Sequence, residues 1–274
     1  RVYGSLARIA DFRNSNFDVL EVPRSEWATG DYVEGEVVGS VTGLYHVEDR
    51  SGHMVRVEPG DWVIGALGDR AATLEGVGSW RDIAADGDMH ALTSAGLLGH
   101  FTSYSRLLPE PLHLKYLGHL CRSNEKVCMS HFAISADAHK FDVPTVMLVG
   151  TSMSAGKTTT GRRVCKELDR AGLFVIGSKL TGAGRYRDIL SFLKTGATEI
   201  FDFVDAGLPS TIVPESGALA GITLQGDNGN FGVMLDGVHL SIEAPTTSEA
   251  LEMANSLTVV DHVSTTTPHD TATD

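Results

Sequence analysis

The segment Gly150-Thr151-Ser152-Met153-Ser154-Ala155-Gly156-Lys157-Thr158 fits the phosphate-loop pattern G-x-x-x-x-G-K-[ST] at every fixed position. The pattern has a physical basis. Successive backbone N–H groups curl around phosphate oxygens, glycines permit that path, and the dipole of a following helix adds a favourable field. Lys157 supplies a point charge to the β- and γ-phosphates, and the Thr158 hydroxyl is placed to ligate Mg²⁺. Positions 150 to 158, together with Thr159, are therefore the expected ATP-binding residues.

The flanks suit such a loop. Thr145–Val149 is a short apolar run of the kind found in a buried parallel strand. From Lys157 to about Ala171, Val164, Leu168 and Ala171 recur at helical spacing, and Gly172 supplies a stop. Phe174-Val175-Ile176 reads as a second buried strand, Tyr186–Lys194 as a second helix and Ile200–Val204 as a third strand. Strand–helix–strand alternation implies right-handed crossovers and a parallel sheet. The expectation is an α/β P-loop NTPase domain over 142–263, opened by the Asp142-Val143-Pro144 boundary.

Residues 1–141 read differently. Between Asp31 and Leu67, Val, Ile and Tyr alternate with polar residues. Turns at Arg50-Ser51-Gly52 and Glu58-Pro59-Gly60-Asp61 divide the runs, which signals antiparallel hairpins in a small barrel or sandwich. Ser94–Tyr104 and Pro111–Leu120 are helix-compatible. The tail, 264–274, is Thr- and Asp-rich and is expected to be disordered.

The form G-T-x-x-x-x-G-K-T-T resembles the dethiobiotin synthetase-like branch of P-loop proteins, which includes the cobyrinic acid amidating synthases. Gly177-Ser178-Lys179-Leu180-Thr181-Gly182 is similar to the Lys-Pro-x-x-x-Gly segment of that branch, with Leu180 in place of proline. The resemblance covers about Val143–Pro214. The layout also resembles a bacterial two-domain P-loop family in which a separate domain precedes the nucleotide-binding one. The resemblance implies that ATP phosphorylates a small carboxylate or carbamate to give a mixed anhydride. Lys157 and Lys179 would then flank the γ-phosphate, and Thr158 with Asp205 or Glu243 would hold Mg²⁺.

The residues themselves leave more than one carboxylate open. Asp202 and Asp205 are three apart, so they cannot share a face of a regular strand. Asp205, at the strand's carboxyl end, is the better candidate for catalysis or metal binding, because ligands gather outside those ends in open α/β sheets. Val238–Glu243 is an apolar-rich run ending in an acid, as a Walker-B-like strand does, and relatives end a comparable strand with Glu. Either acid also reads as a helix cap or a turn residue. Arg185 and Arg187 read equally as anion ligands and as surface arginines; Ser210 and Thr211 read better as loop caps than as carboxylate ligands.

Other signals are weaker. His113, His119, Cys121, Cys128 and His131 match no standard zinc spacing, and buried thiols with surface histidines account for them better. Gly68-Asp69-Arg70 with Thr73-Leu74-Glu75 either lines a domain interface or forms a salt-bridged turn. Arg162, Arg163, Lys166 and Arg170 read as a solvated helix face. The net charge of -13 disfavours nucleic-acid binding. No membrane-length apolar run and no signal pattern appear, and the three cysteines suit a reducing compartment, so a soluble cytoplasmic protein is expected. Only about 60 residues follow Glu215, so a homodimer that completes the site is a candidate assembly.

The function expected is thus an ATP- and Mg²⁺-dependent ligase or kinase acting on a small molecule. A nucleotide-controlled switch or assembly factor is one alternative. An acyltransferase that cradles the phosphates of coenzyme A in the loop is another.

Overall fold

Residues 1–12, 16–39, 45–72, 75–134, 144–148 and 156–211 of the computed structural model are described, together with the backbone of 223–227, 230–235 and 238–243. The first part holds β1 (Val2–Tyr3), β2 (Asp18–Leu20), β3 (Tyr32–Val37), β4 (His46–Glu48), β5 (Met54–Arg56) and β6 (Trp62–Leu67). It continues with β7 (Asp69–Ala72), β8 (Gly76–Ser79), β9 (Asp88–Thr93), β10 (Leu97–Tyr104), β11 (His113–Arg122) and β12 (Glu125–Lys126). Beyond them come α1 (Lys157–Arg170), β13 (Ile176–Lys179), α2 (Tyr186–Leu193) and β14 (Glu199–Asp202). The last strands are β15 (Thr223–Asp227), β16 (Asn230–Leu235) and β17 (Val238–Glu243).

Strand pairing closes a barrel. β6 pairs with β3, β3 with β11, β11 with β9 and β9 with β10, all antiparallel; β10 returns to β6 in parallel. A closed ring leaves no free edge among its five members. β1 adds to β6 in parallel, β2 and β12 add to β11, and the β7–β8 hairpin continues from the far end of β10.

The period-two alternation of side chains sorts residues into two cores. Val33, Val37, Val63, Leu67, Met89, Ala91, Leu98 and Leu114, drawn from all five ring strands, fill the interior with Val47, Val57, Trp80 and Ile83 at its ends. Their alternates, Tyr32, Ile64, Ala66, Leu92, Leu97 and Leu120, face outward into a second core with Leu6, Ala7, Phe12, Met129, Phe203 and Val204. Strands buried on both faces explain why Val63–Leu67 is an unbroken apolar run rather than an alternating one.

The ring closes through glycine. A Cβ on Gly65 would lie 2.2 Å from the Gly96 carbonyl oxygen, and one on Gly4 would lie 2.7 Å from that of Ala95. That approach lets Ala66 N–H donate to Gly96 O at 2.9 Å and Gly4 N–H donate to Ile64 O at 2.8 Å.

Several sequence expectations are corrected. The α/β P-loop NTPase fold on a mainly parallel sheet is overturned: the chain is mostly β-strand, with a mixed ten-stranded sheet and two α-helices among the described residues. Among the described residues of the later part, β13–β14 is the one parallel pair. The helix-compatible stretches at 94–104 and 111–120 form β10 and β11, because their apolar residues are needed on both faces of a closed ring. Of the run Thr145–Val149, expected as a buried strand, residues 145–148 lie outside any strand and Val146 is 62% exposed, while Val149 lies outside the described residues. The second strand runs over Ile176–Lys179, later than expected, and the third stops at Asp202. Asp142, Val143 and the 264–274 tail lie outside the described residues, and no described helix is long and apolar enough to cross a membrane.

Gly65→Ala should lower stability by more than about 2 kcal/mol, since the new methyl meets backbone rather than a flexible side chain. Gly60, at φ +89° with nothing near a would-be Cβ, should cost only about 1–2 kcal/mol as alanine. Urea unfolding of both variants checks this; equal losses would remove the seam from the account.

Candidate functional site

The parallel register of β13 and β14 places Lys179 beside Asp202 at the carboxyl ends of the two strands. Ligands collect at such ends, where loops leave the sheet. The Lys179 ammonium donates to Asp188 Oδ2 at 2.5 Å and to the Ala183 carbonyl at 2.8 Å. It is therefore anchored by the first turn of α2, with 15% of the side chain exposed.

Asp202 and Asp205 do come together, against the expectation from strand geometry. The strand ends at Asp202, and a turn carries Asp205 back so that its Oδ2 accepts the Asp202 N–H at 2.8 Å. Both carboxylates reach the same guanidinium. Arg8, from a 3₁₀ turn of the barrel part, bonds Asp202 Oδ1 and lies 3.4 Å from Asp205 Oδ1. Its charge also sits 4.9 Å from the centre of the Tyr186 ring. Burial pushes the Asp202 carboxyl above its ordinary range; Arg8 opposes that shift and neighbouring Asp205 adds to it.

The same face carries further polar contacts between the barrel and the later elements. Ser5 Oγ donates to the Gly184 carbonyl at 3.2 Å, and Arg187 N–H donates to Glu48 Oε1 at 3.2 Å. Glu48 is fully buried, and burial raises its pKa although backbone N–H groups and Ser5 favour its charged form. Gly184 is tight against Leu6 and Val204, so a side chain there would part the two surfaces.

The phosphate-loop motif is described from Gly156 onward; Gly150, Thr151, Ser152, Met153, Ser154 and Ala155 lie outside the described residues. Gly156 adopts φ +86° and leads directly into α1, with no side-chain cap on the helix start. Lys157, Thr158 and Thr159 form the first turn. Of the expected apolar face of α1, Val164 and Leu168 are half-buried and Ala171 is exposed. Gly161 and Cys165 are the buried positions, against Phe192 and its neighbours, while Arg162, Arg163, Lys166 and Arg170 are exposed.

Glu243 falls elsewhere. It ends β17, which pairs antiparallel with β16 in a separate three-stranded sheet, and neither β13 nor β14 joins that sheet. Asp205 has Arg8 and the Asp202 amide as partners, so a metal would have to displace them. Arg185 lies 3.8 Å from Asp188, and Ser210 is half-buried. The charged loop after β6 is a salt-bridged hairpin: Arg70 pairs with Glu75, and Asp69 with Arg81 at 3.1 Å.

The histidines and thiols of the 113–131 stretch do not converge on one point. His119 is fully buried rather than superficial; its Nδ1 lies 2.6 Å from the Tyr116 hydroxyl and its Nε2 lies 3.3 Å from Asp31. Asp31 also receives Lys126 at 2.6 Å. Burial alone would raise the Asp31 pKa, but bonds from His119, Lys126 and the Ala28 N–H outweigh it and hold it low. Sequence reading missed Arg8 altogether. Its partners lie 194 and 197 positions away, and no local pattern marks an arginine in a short turn. Comparison of the chain with protein-family models, curated proteins and solved structures returned no match.

Arg8→Ala should destabilise the protein by about 3–5 kcal/mol, because it strands a buried carboxylate. Adding Asp202→Asn should recover part of that loss in a double-mutant cycle read by chemical denaturation. Strictly additive effects would mean that the pair is not coupled.

Proposed function

We propose that the protein binds ATP·Mg²⁺ through its glycine-rich loop and uses the γ-phosphate to activate a small carboxylate-containing substrate. The observation that carries this reading is the complete motif at 150–158, whose last glycine takes a left-handed conformation and opens directly into a 14-residue helix without a side-chain cap. A helix start of that kind suits an anion, since its first-turn N–H groups and its dipole favour negative charge. The fit of the group to the chain rests on that helix start, the Lys157 charge and the Thr158 hydroxyl.

In this reading Lys157 would hold the β- and γ-phosphates, and Thr158 would help to hold Mg²⁺. Asp205 is left to Arg8. Lys179, anchored by Asp188 at the end of β13, provides positive charge for the transferring group. When bound, ATP would supply the γ-phosphoryl group that a substrate carboxylate takes up, with ADP as the leaving group. The protein contributes positioning and charge neutralisation rather than covalent participation.

Lys157→Ala should weaken ATP affinity by roughly 10- to 100-fold, the equivalent of losing one charge-assisted contact of about 1.5–3 kcal/mol. Calorimetric titration with ATP·Mg²⁺ measures it, and unchanged affinity would overturn the proposal. Lys179→Ala should instead act on turnover, lowering kcat by roughly 10²-fold with little change in nucleotide affinity.

A further inference from the structure

A second group of side chains stands on the outer face of the barrel, apart from the elements used above. Asp88 and His90 are two residues apart on β9, so both project from one face of the strand. That face is the outer one, because the intervening Met89 fills the barrel interior. β11 sets His113 directly opposite His90. β10 pairs with β9 as far as Gly99 and with β8 from His100 onward. His100 lies at this crossing.

The result is a close packing of three imidazoles and one carboxylate. The His100 and His113 ring centres lie 4.5 and 4.4 Å from that of His90. Asp88 reaches both outer rings, with Oδ2 3.6 Å from His100 Nε2 and Oδ1 4.0 Å from His113 Nδ1. One ligand atom each from Asp88, His90 and His100 lies within 4.8 Å of the other two.

We propose that Asp88, His90 and His100 bind a divalent first-row transition ion of the zinc class, with the remaining coordination positions open to solvent. Two neutral imidazoles and a carboxylate are nitrogen and oxygen donors suited to such an ion, and a three-ligand set leaves room for water or an anion. Metal–ligand bonds of about 2.0–2.2 Å require the donor atoms to close in from their present spacing. Asp88 and His100 can supply that movement, because their side chains are 41% and 32% exposed, while buried His90 forms the fixed floor.

The protonation of His90 agrees with this role. Burial, and then the neighbouring His113 and His100, hold its pKa down to about 4, so the ring is neutral across the physiological range. The Phe101 N–H donates to its Nδ1 at 3.2 Å, which leaves the ring proton on Nε2 and the lone pair on Nδ1. An ion reaches His90 by taking that lone pair from the amide, at the cost of one hydrogen bond. His113, on the far oxygen of Asp88, acts as a positioning residue for the carboxylate.

The test uses the full chain, stripped with a chelator and without nucleotide, so its outcome is separate from that of the ATP reading. Calorimetric titration with Zn²⁺ should show a site that Asp88→Ala and His100→Ala each weaken at least tenfold. His53→Ala should leave it unchanged, since that ring is 80% exposed and outside the group. Co²⁺ in place of Zn²⁺ should give visible d–d absorption that the same two variants lose. Asp88→Asn, which keeps the shape of the side chain and removes its charge, serves if a truncation perturbs the strand; circular dichroism reports the fold of each variant. Absence of Zn²⁺ binding in the native chain, or wild-type affinity in folded Asp88 and His100 variants, would overturn the proposal.

Discussion

The contact of backbone with backbone at Gly4, Gly65 and Gly96 is the constraint on which the rest of the molecule depends. β6 and β10 can be neighbours only because nothing projects from Gly65 toward the Gly96 carbonyl. Their parallel pairing turns an open meander into a ring. Once the ring exists, every strand in it has an inside and an outside, and the part of the outside that is packed over must be apolar as well. The outside then needs a cover, which the 3₁₀ turn at Ser5–Ile9 and the segment after β14 provide.

That cover is held by charge as well as by apolar area. Arg8 is 6% exposed and Asp202 not at all, measured on their side chains. A buried pair of this kind adds little net stability against an apolar substitute, yet loss of one partner is costly. Its effect is selective: β14 and α2 have one arrangement on the barrel in which Arg8 meets both carboxylates and Glu48 meets the Arg187 amide. An anchored Lys179 follows from the same arrangement, since Asp188 belongs to the helix so placed.

Local features were legible in the sequence where the determinants are local. The 31–67 stretch contains strands β3 to β6, with turns where Gly52 and Gly60 supply positive φ. The helix begins at Lys157, ends at Arg170 and is followed by Gly172 at φ +76°. What could not be read is the non-local pairing. Stretches such as 97–104 carry apolar residues whose spacing alone fits a helix, and only a ring of partners makes them strands. The apolar run at 145–148 misled in the opposite sense: composition suits a buried strand, but no described strand pairs with it. Asp202 and Asp205 read as residues of one strand that cannot share a face, but a turn between them brings them together. The outer-face histidines were illegible for the same reason. Positions 90, 100 and 113 follow no ligand spacing until β9, β10 and β11 align them.

The outer core also imposes an order on synthesis. Phe203 and Val204 are added some 170 to 200 residues after Leu6, Ala7 and Tyr32, with which they pack. At about 5–20 residues per second, the stretch from the end of β11 to Phe203 takes roughly 4–16 s, during which part of the barrel's apolar outer face and the Arg8 charge stay uncovered. During that interval the uncovered apolar face is the aggregation-prone surface of the growing chain, and its burial waits for the turn after β14.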